Sequence, residues 1–139
     1  MRKRLLVAAL ALATACASGC IVIDVEKTGP RCASSIEPED VTIREIDAVS
    51  KLSLNDNRRE GYKRIAERQC LCPGAQTHLV EAVFEHLSLE DSKVDVLMAL
   101  IHNPCFNSAT KAALLERLDN LTLEDHRREV LEALSHRAS

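Results

Sequence analysis

The sequence predicts an all-α fold: three stacked helix hairpins, six short helices in a repeat of about 34–35 residues, standing after a signal peptide and a short tether. Three observations carry that prediction. The stretch Leu87-Ser88-Leu89-Glu90-Asp91-Ser92-Lys93 returns as Leu52-Ser53-Leu54-Asn55-Asp56-Asn57-Arg58 and as Leu121-Thr122-Leu123-Glu124-Asp125-His126-Arg127, at separations of 35 and 34 residues. A turn, two short helices and a return loop use about 34 residues, so a period of this size is the mark of stacked helix pairs. Aromatic residues are scarce, with no Trp, one Tyr (Tyr62) and two Phe (Phe84 and Phe106). The core must then be built from Leu, Ile, Val and Ala, which suits helix packing better than a sheet sandwich. Finally, the apolar residues after each phrase recur at helical spacing, as in Val94, Leu97, Leu100 and Ile101.

Residues 1–19 read as a leader. Arg2-Lys3-Arg4 is a positive start, Leu5 to Ala15 is an apolar run of eleven residues, and small residues lead to Cys20, which is the anatomy of a secretory signal. The run is too short to span a bilayer, which takes about 20 residues. Ala17-Ser18-Gly19-Cys20 resembles a bacterial lipobox, in which the leader is cut before a cysteine that receives the lipid, although that pattern has Leu where Ala17 stands. Cys16, after Ala13-Thr14-Ala15, is a second candidate, and an ordinary leader processed at Ala13-x-Ala15 is the alternative. Either way the mature domain is expected outside the cytoplasm. Lipidation at Cys20 would hold it to a membrane leaflet through acyl chains such as palmitate, several of which anchor stably. Ile21 follows, where bacterial lipoproteins kept in the inner membrane tend to have Asp, so the resemblance implies the outer membrane. Without the leader's three basic residues, 15 Lys and Arg face 21 Asp and Glu, a formal charge of −6, which argues against nucleic acid as a partner.

Residues 20–38 supply the lipidation site and a tether, with Pro30 and Pro38, no helical stripe, and room for one short strand over Ile21 to Val25. The helical-repeat domain spans 39–139. Its first helix is predicted from about Glu39 to Lys51 on the stripe Ile43, Ile46 and Val49, as an atypical end repeat that caps the stack. The second, fourth and sixth helices begin at the repeated phrase. Their apolar faces are Tyr62, Ile65 and Ala66, then Val94, Val96, Leu97, Leu100 and Ile101, then Val130, Leu131 and Leu134. The middle one is apolar round most of its circumference and is expected to be the most buried. Cys70-Leu71-Cys72-Pro73-Gly74 and Asn103-Pro104-Cys105-Phe106-Asn107 read as loops, in which Pro and Gly stop one helix and Thr77 or Asn107-Ser108 starts the next. The third helix carries Leu79, Val80, Val83 and Phe84, and the fifth Leu114, Leu115 and Leu118.

The corners follow from the phrase itself. Ser53, Ser88 and Thr122 stand three residues before Asp56, Asp91 and Asp125. That is a capping-box spacing, in which the hydroxyl accepts from the amide three residues on and the carboxylate reaches back and complements the positive helix end. The leucines are expected to pin each corner into the core from both sides, Leu52, Leu87 and Leu121 closing one helix and Leu54, Leu89 and Leu123 opening the next.

Residues from about 76 to 135, with this phrase at their centre, resemble the bacterial domain-of-unknown-function family numbered forty-four seventy-six. That family has helix pairs in which a Phe/Leu-Ser/Thr-Phe/Leu corner is followed by Asp and then Lys or Arg. Here Leu stands where the family often has Phe, and the cysteines are additional. The resemblance implies a small all-helical module of secreted and envelope proteins, and no particular activity. The tetratricopeptide repeat has a similar period, but its Trp, Leu-Gly, Tyr and paired-Ala landmarks are missing.

Cys32, Cys70, Cys72 and Cys105 remain once Cys20 is given to the lipid. An even number in an exported chain points to disulfides. Cys70 and Cys105 share a repeat position, about 10 Å apart on neighbouring hairpins and beyond the ~7 Å reach of a bridge, and Cys70-Leu71-Cys72 would close a strained ring. The expected pairs are Cys32 with Cys70 and Cys72 with Cys105. Alternatively Cys70 and Cys72 are a reducible pair that exchanges with other proteins, although no thioredoxin-like strand pattern accompanies them. Zinc held by these thiols with His102 matches no standard spacing. His78, Glu81 and Glu85 share a helix face that could take a metal, a pattern that solvated faces also produce. Neither His86 nor His126 has a partner nucleophile, and four glycines leave no phosphate loop. No metal or cofactor is expected.

Arg58, Lys93 and Arg127 share one repeat position in the first turns of a helix, where positive charge is mildly unfavourable. Local ion pairs, Lys93 with Glu90 and Arg127 with Glu124, would compensate. Alternatively the row docks an anionic ligand or an acidic partner strand, with Arg58, Arg59, Lys63, Arg64 and Arg68 making the second helix the docking edge. The functional expectation is a non-enzymatic interaction or structural module, lipid-anchored in the bacterial cell envelope, with a protein partner there. The alternative is an envelope thiol-disulfide protein working through Cys70 and Cys72.

Overall fold

The structure, a computed structural model, describes residues 38–137. The expected leader, Cys16, Cys20, the tether up to residue 37 with its short strand, and Cys32 lie outside the described residues. Within them the chain forms α1 (Glu39–Ser50), α2 (Asn55–Ala66), α3 (Pro73–His86), α4 (Glu90–His102), α5 (Ser108–Arg117), a single 3₁₀ turn (Leu118–Asn120) and α6 (Glu124–Arg137). No strand occurs among the described residues. Helix α1 packs on α3 and α3 on α5, while α2 packs on α4 and α4 on α6. Three hairpins are thus stacked side by side in two layers, and one aliphatic cluster runs through all six helices from Ile46 to Leu134. No helix of the described residues is long and apolar enough to cross a membrane.

The first three residues of the repeated phrase fall between helices at all three corners, and the next four open the following helix. Other boundaries differ from expectation for identifiable reasons. Pro73 and Gly74 open α3 instead of closing α2, because Pro at the first helical position gives up an N–H that has no intrahelical acceptor anyway. Thr77 therefore lies inside α3, its hydroxyl donating to the Pro73 carbonyl at 3.1 Å. Asn107 does start α5, its side-chain oxygen accepting from the amides of Ala109 at 2.9 Å and Thr110 at 3.0 Å.

The interior is shared by the middle hairpin as a whole. Helix α4 buries Val94, Val96, Leu97, Leu100 and Ile101, but α3 buries at least as much, including the polar Gln76. Helix α2 comes so close to α1 at Gly61 that a Cβ there would fall 2.7 Å from a Val49 methyl. Three expectations about apolar residues are corrected. Leu87 and Leu121 are buried, but Leu54, Leu89 and Leu123 are 61, 55 and 53% exposed. Each stands immediately before a helix at the outer rim, where the chain reverses. Leu52 of the first corner is also exposed, with no described hairpin before it. Leu115 and Leu131 face outward from the last hairpin, which nothing described follows.

Candidate functional site

The repeated corners are where this sequence concentrates its polar chemistry, and their hydrogen bonds run between hairpins. Leu54 and Leu89, not Ser53 and Ser88, occupy the position before α2 and α4, and neither helix start is capped by a side chain of its own phrase. The expected capping boxes are therefore not formed. Instead the Asn55 side-chain oxygen accepts from the Ser88 N–H at 2.9 Å and the Ser88 hydroxyl at 3.2 Å, while its Nδ2 donates to Ser92 Oγ at 2.9 Å. One repeat later Glu90 does the same. Its Oε1 accepts from the Thr122 N–H at 2.7 Å and from the Thr122 hydroxyl, and its Oε2 accepts from the Leu123 N–H at 3.1 Å and faces His126 Nδ1 at 3.3 Å. The starts of α4 and α6 are thus each held by the first residue of the second helix in the hairpin before them. The Thr122 hydroxyl, followed by its N–H, holds the Glu90 carboxyl at about 2, well below the ordinary carboxylate value. Asp56, Asp91 and Asp125 are exposed in the first turns. Asp91 meets His126 Nε2 at 3.0 Å, and Asp125 meets Arg128 at 2.5 Å.

The basic row serves the same joints. Arg58 Nε donates to the Leu52 carbonyl at 2.6 Å and its Nη1 to the His86 carbonyl at 2.6 Å, so it ties its own corner to the end of α3. Arg127 repeats the first contact on Leu121 at 2.7 Å, with Glu124 3.9 Å from its guanidinium. Lys93 lies over the Phe84 ring, 5.7 Å from its centre. Arg58 and Arg127 sit at helix starts because the carbonyls they serve belong to the ends of preceding segments, where positive charge is favourable. On the second helix, Arg59 at 2.9 Å and Lys63 at 2.7 Å clamp Asp95 of α4. The bond from Lys63 is the main reason the Asp95 carboxyl is lowered and the Lys63 ammonium raised. Arg68 makes a bidentate pair with Glu45 of α1.

The two cysteine loops are joined by a side chain the sequence did not flag. Fully buried Gln76 donates to the Leu71 carbonyl at 2.6 Å and the Cys105 carbonyl at 2.9 Å, and accepts from Thr110 at 3.0 Å and Asn107 at 3.3 Å. No bridge joins Cys70, Cys72 and Cys105 to one another. The expected Cys72–Cys105 link is replaced by this amide, whose four bonds are complete. Asn103, also buried, donates to the carbonyls of Ala66 and Arg68, both at 2.7 Å, and Arg137, one repeat on, donates to the Ile101 carbonyl and lies 5.5 Å from the Phe106 ring centre. A signal for these residues existed. Thr42, Gln76 and Thr110 recur 34 residues apart as polar positions in otherwise apolar faces, and all three are buried.

The histidines are distributed among these joints. His78 meets Asp47 of α1 at 2.8 Å and is not gathered with Glu81 and Glu85. His102 Nδ1 lies 2.7 Å from the Met98 carbonyl, and His86 is 3.9 Å from Glu85. No group of three His, Cys, Asp or Glu suited to a metal occurs among the described residues. Two open grooves flank α6. One, of about 540 Å³, lies between α4 and α6 with Met98, Ile101, His102 and Glu129 in its walls. The other, of about 400 Å³, lies on the outer side of α6 over Glu124, Arg128, Leu131, Glu132 and Ser135. Compared with known protein families, with curated proteins and with solved structures, the chain matches none.

Proposed function

We propose that this chain is an exported, lipid-anchored helical module of the bacterial cell envelope that works by binding or supporting other proteins and not by catalysis. The observation that carries the reading is the leucine row of the corner edge. Leu54, Leu89 and Leu123 stand at one repeat position, one per hairpin and each more than half exposed. A repeated apolar strip left in solvent by a folded domain marks a surface that something else covers. Arg58, Lys93 and Arg127 border it with positive charge, which suits an acidic partner segment. Export and lipidation rest on Arg2-Lys3-Arg4, the apolar run to Ala15, and Cys20. The envelope setting rests also on the resemblance of the corner residues to the family named above. Feeding cells an alkyne-tagged fatty acid should label the wild-type chain and leave Cys20→Ala unlabelled, and an unlabelled wild type would remove the anchor from the proposal. A photo-crosslinking residue placed at Leu89, followed by mass spectrometry of native envelopes, should capture one recurrent protein. Crosslinks to lipid alone would refute a protein partner at that edge.

One observation favours the second reading, a thiol-disulfide protein. Cys70 has a φ of 60°, left-handed for a side-chain-bearing residue, and sits two residues from Cys72. Backbone strain of this kind gathers at functional sites. Titration of the native protein with a thiol reagent, with and without mild reductant, separates the two: one rapidly exchanging pair supports the redox reading, and inert sulfurs support the module.

A further inference from the structure

The two junctions between second helices share one rule, the first residue of one helix holding the corner before the next, and the two ends of the described stack display its unused halves. At the α2–α4 junction Asn55 takes Ser88 and Ser92, and Arg59 and Lys63 take Asp95. At the α4–α6 junction Glu90 takes Thr122 and Leu123 and faces His126. Helix α6 then carries the first half of another junction. Glu124 stands at the position of Asn55 and Glu90, Arg128 at that of Arg59, and Leu131 at that of Tyr62 and Leu97. Tyr62 and Leu97 are completely buried, whereas Leu131 is 45% exposed in the groove outside α6.

Helix α2 carries the second half at the opposite end. Ser53 stands at the position of Ser88 and Thr122, Asn57 at that of Ser92 and His126, and Glu60 at that of Asp95. All three are exposed, and Ser53 has no hydrogen bond among the described residues. The halves are complementary. Glu124 offers the acceptors that Glu90 uses, and Ser53, Leu54 and Asn57 offer donors where Thr122, Leu123 and His126 stand. Arg128 can reach Glu60 as Arg59 reaches Asp95. Their present partners, Asp125 at 2.5 Å and Arg59 at 2.7 Å, are exposed local pairs of the weakly held kind.

We propose that a second copy of this chain docks the outer face of its α2, at the Ser53 corner, onto the outer face of α6, so that the stack continues from molecule to molecule. The contact is heterologous, since each copy keeps one free end of each kind, and it therefore grows into short filaments or closes into a ring. It rests on the reading of the chain as an interaction module and names one partner. Lipidation and export are tested separately by labelling, so either can fail alone.

A photo-crosslinking residue at position 131 of the full chain, in intact cells, should give a ladder of multiples of one chain, with the crosslink mapping to 53–64 of the neighbour. Arg128→Glu and Glu60→Arg should each reduce the ladder about tenfold or more, the effect of opposing like charges at a close pair. The double variant Arg128→Glu with Glu60→Arg should restore it. Mixing the two single variants should also restore the ladder, in alternating order, because every junction between unlike variants pairs opposite charges whereas every junction between like variants opposes equal ones. The proposal is overturned if position 131 crosslinks only to a different protein or to residues 1–37 of its own chain. It is equally overturned if the double variant, folded by circular dichroism, fails to recover the ladder.

Discussion

Tyr62 is the largest fully buried side chain, and among the described residues its hydroxyl has no hydrogen-bond partner. Burial pushes the phenol up to about 12 from its ordinary 10, so folding favours the neutral form. That contribution is complete below pH 10 and is lost as the pH rises from 10 through about 12, where the unfolded chain ionises first. Tyr62→Phe removes a buried hydroxyl that bonds to nothing and should leave urea stability at pH 7 unchanged or higher by up to ~1 kcal/mol. It should also flatten the loss of stability above pH 10. A destabilisation larger than that would show that the hydroxyl is bonded. Cys70 is strained in a different way. A left-handed backbone costs a side-chain-bearing residue about 1–2 kcal/mol, partly offset in a Gly replacement by the freedom Gly loses on folding, so Cys70→Gly should gain about 0.5–1 kcal/mol. Were Cys70 bridged to another cysteine, the same change would instead lose the ~2–4 kcal/mol of a disulfide, and thermal melts with and without reductant tell the cases apart.

At the level of the elements, the starts of α4 and α6 are completed by the hairpin before them. The spacing of Ser53 to Asp56, Ser88 to Asp91 and Thr122 to Asp125 located the corners, because hydroxyl, leucine and acid recur there with the period of the hairpins. It could not say where the hydroxyls point. A Ser or Thr three residues before an acid fits its own helix or the residue one repeat earlier equally well, and only the packed stack brings Asn55 to Ser88 and Glu90 to Thr122. The outward turn of Leu54, Leu89 and Leu123 was hidden for the same reason, since a leucine beside a corner reads as core from either side. Glu90 gives the arrangement a pH signature. Its folded carboxyl is lowered to about 2 from 4.5, so its stabilisation is fully present above pH 4.5 and disappears as the pH falls toward 2. Glu90→Gln should lose stability at pH 7 and show a shallower decline across that acid window in urea titrations. Gly61→Ala tests the α1–α2 approach. Alanine gains up to ~1 kcal/mol of helix propensity, but its methyl meets both stiff methyls of Val49, at 2.7 and 2.9 Å. A net loss of about 1–2 kcal/mol is expected from overpacking.

Across the whole molecule, stability should be graded along the stack, because each hairpin is held chiefly by the ones beside it. The period made the stacking legible in the sequence. The joints between hairpins were less so, because Gln76, Asn103 and Thr110 look like surface residues until the loops they serve are folded over them. Helices α3 and α4 have a hairpin on each side, whereas α6 buries only Val130 and Leu134 and depends for its start on Glu90 and for its end on the Arg137 bond to Ile101. In dilute protein, amide hydrogen exchange read by mass spectrometry should therefore show α3 and α4 opening only with the whole fold, and α6 through a lower-energy local opening. Glu90→Gln should speed exchange in α6 severalfold and leave α2 as it was, since α2 is clamped through Asp95 and Asn103 at joints that do not involve Glu90. Equal acceleration in α2 and α6 would mean that the hairpins unfold as one unit, and the neighbour-to-neighbour account of this stack would have to be abandoned.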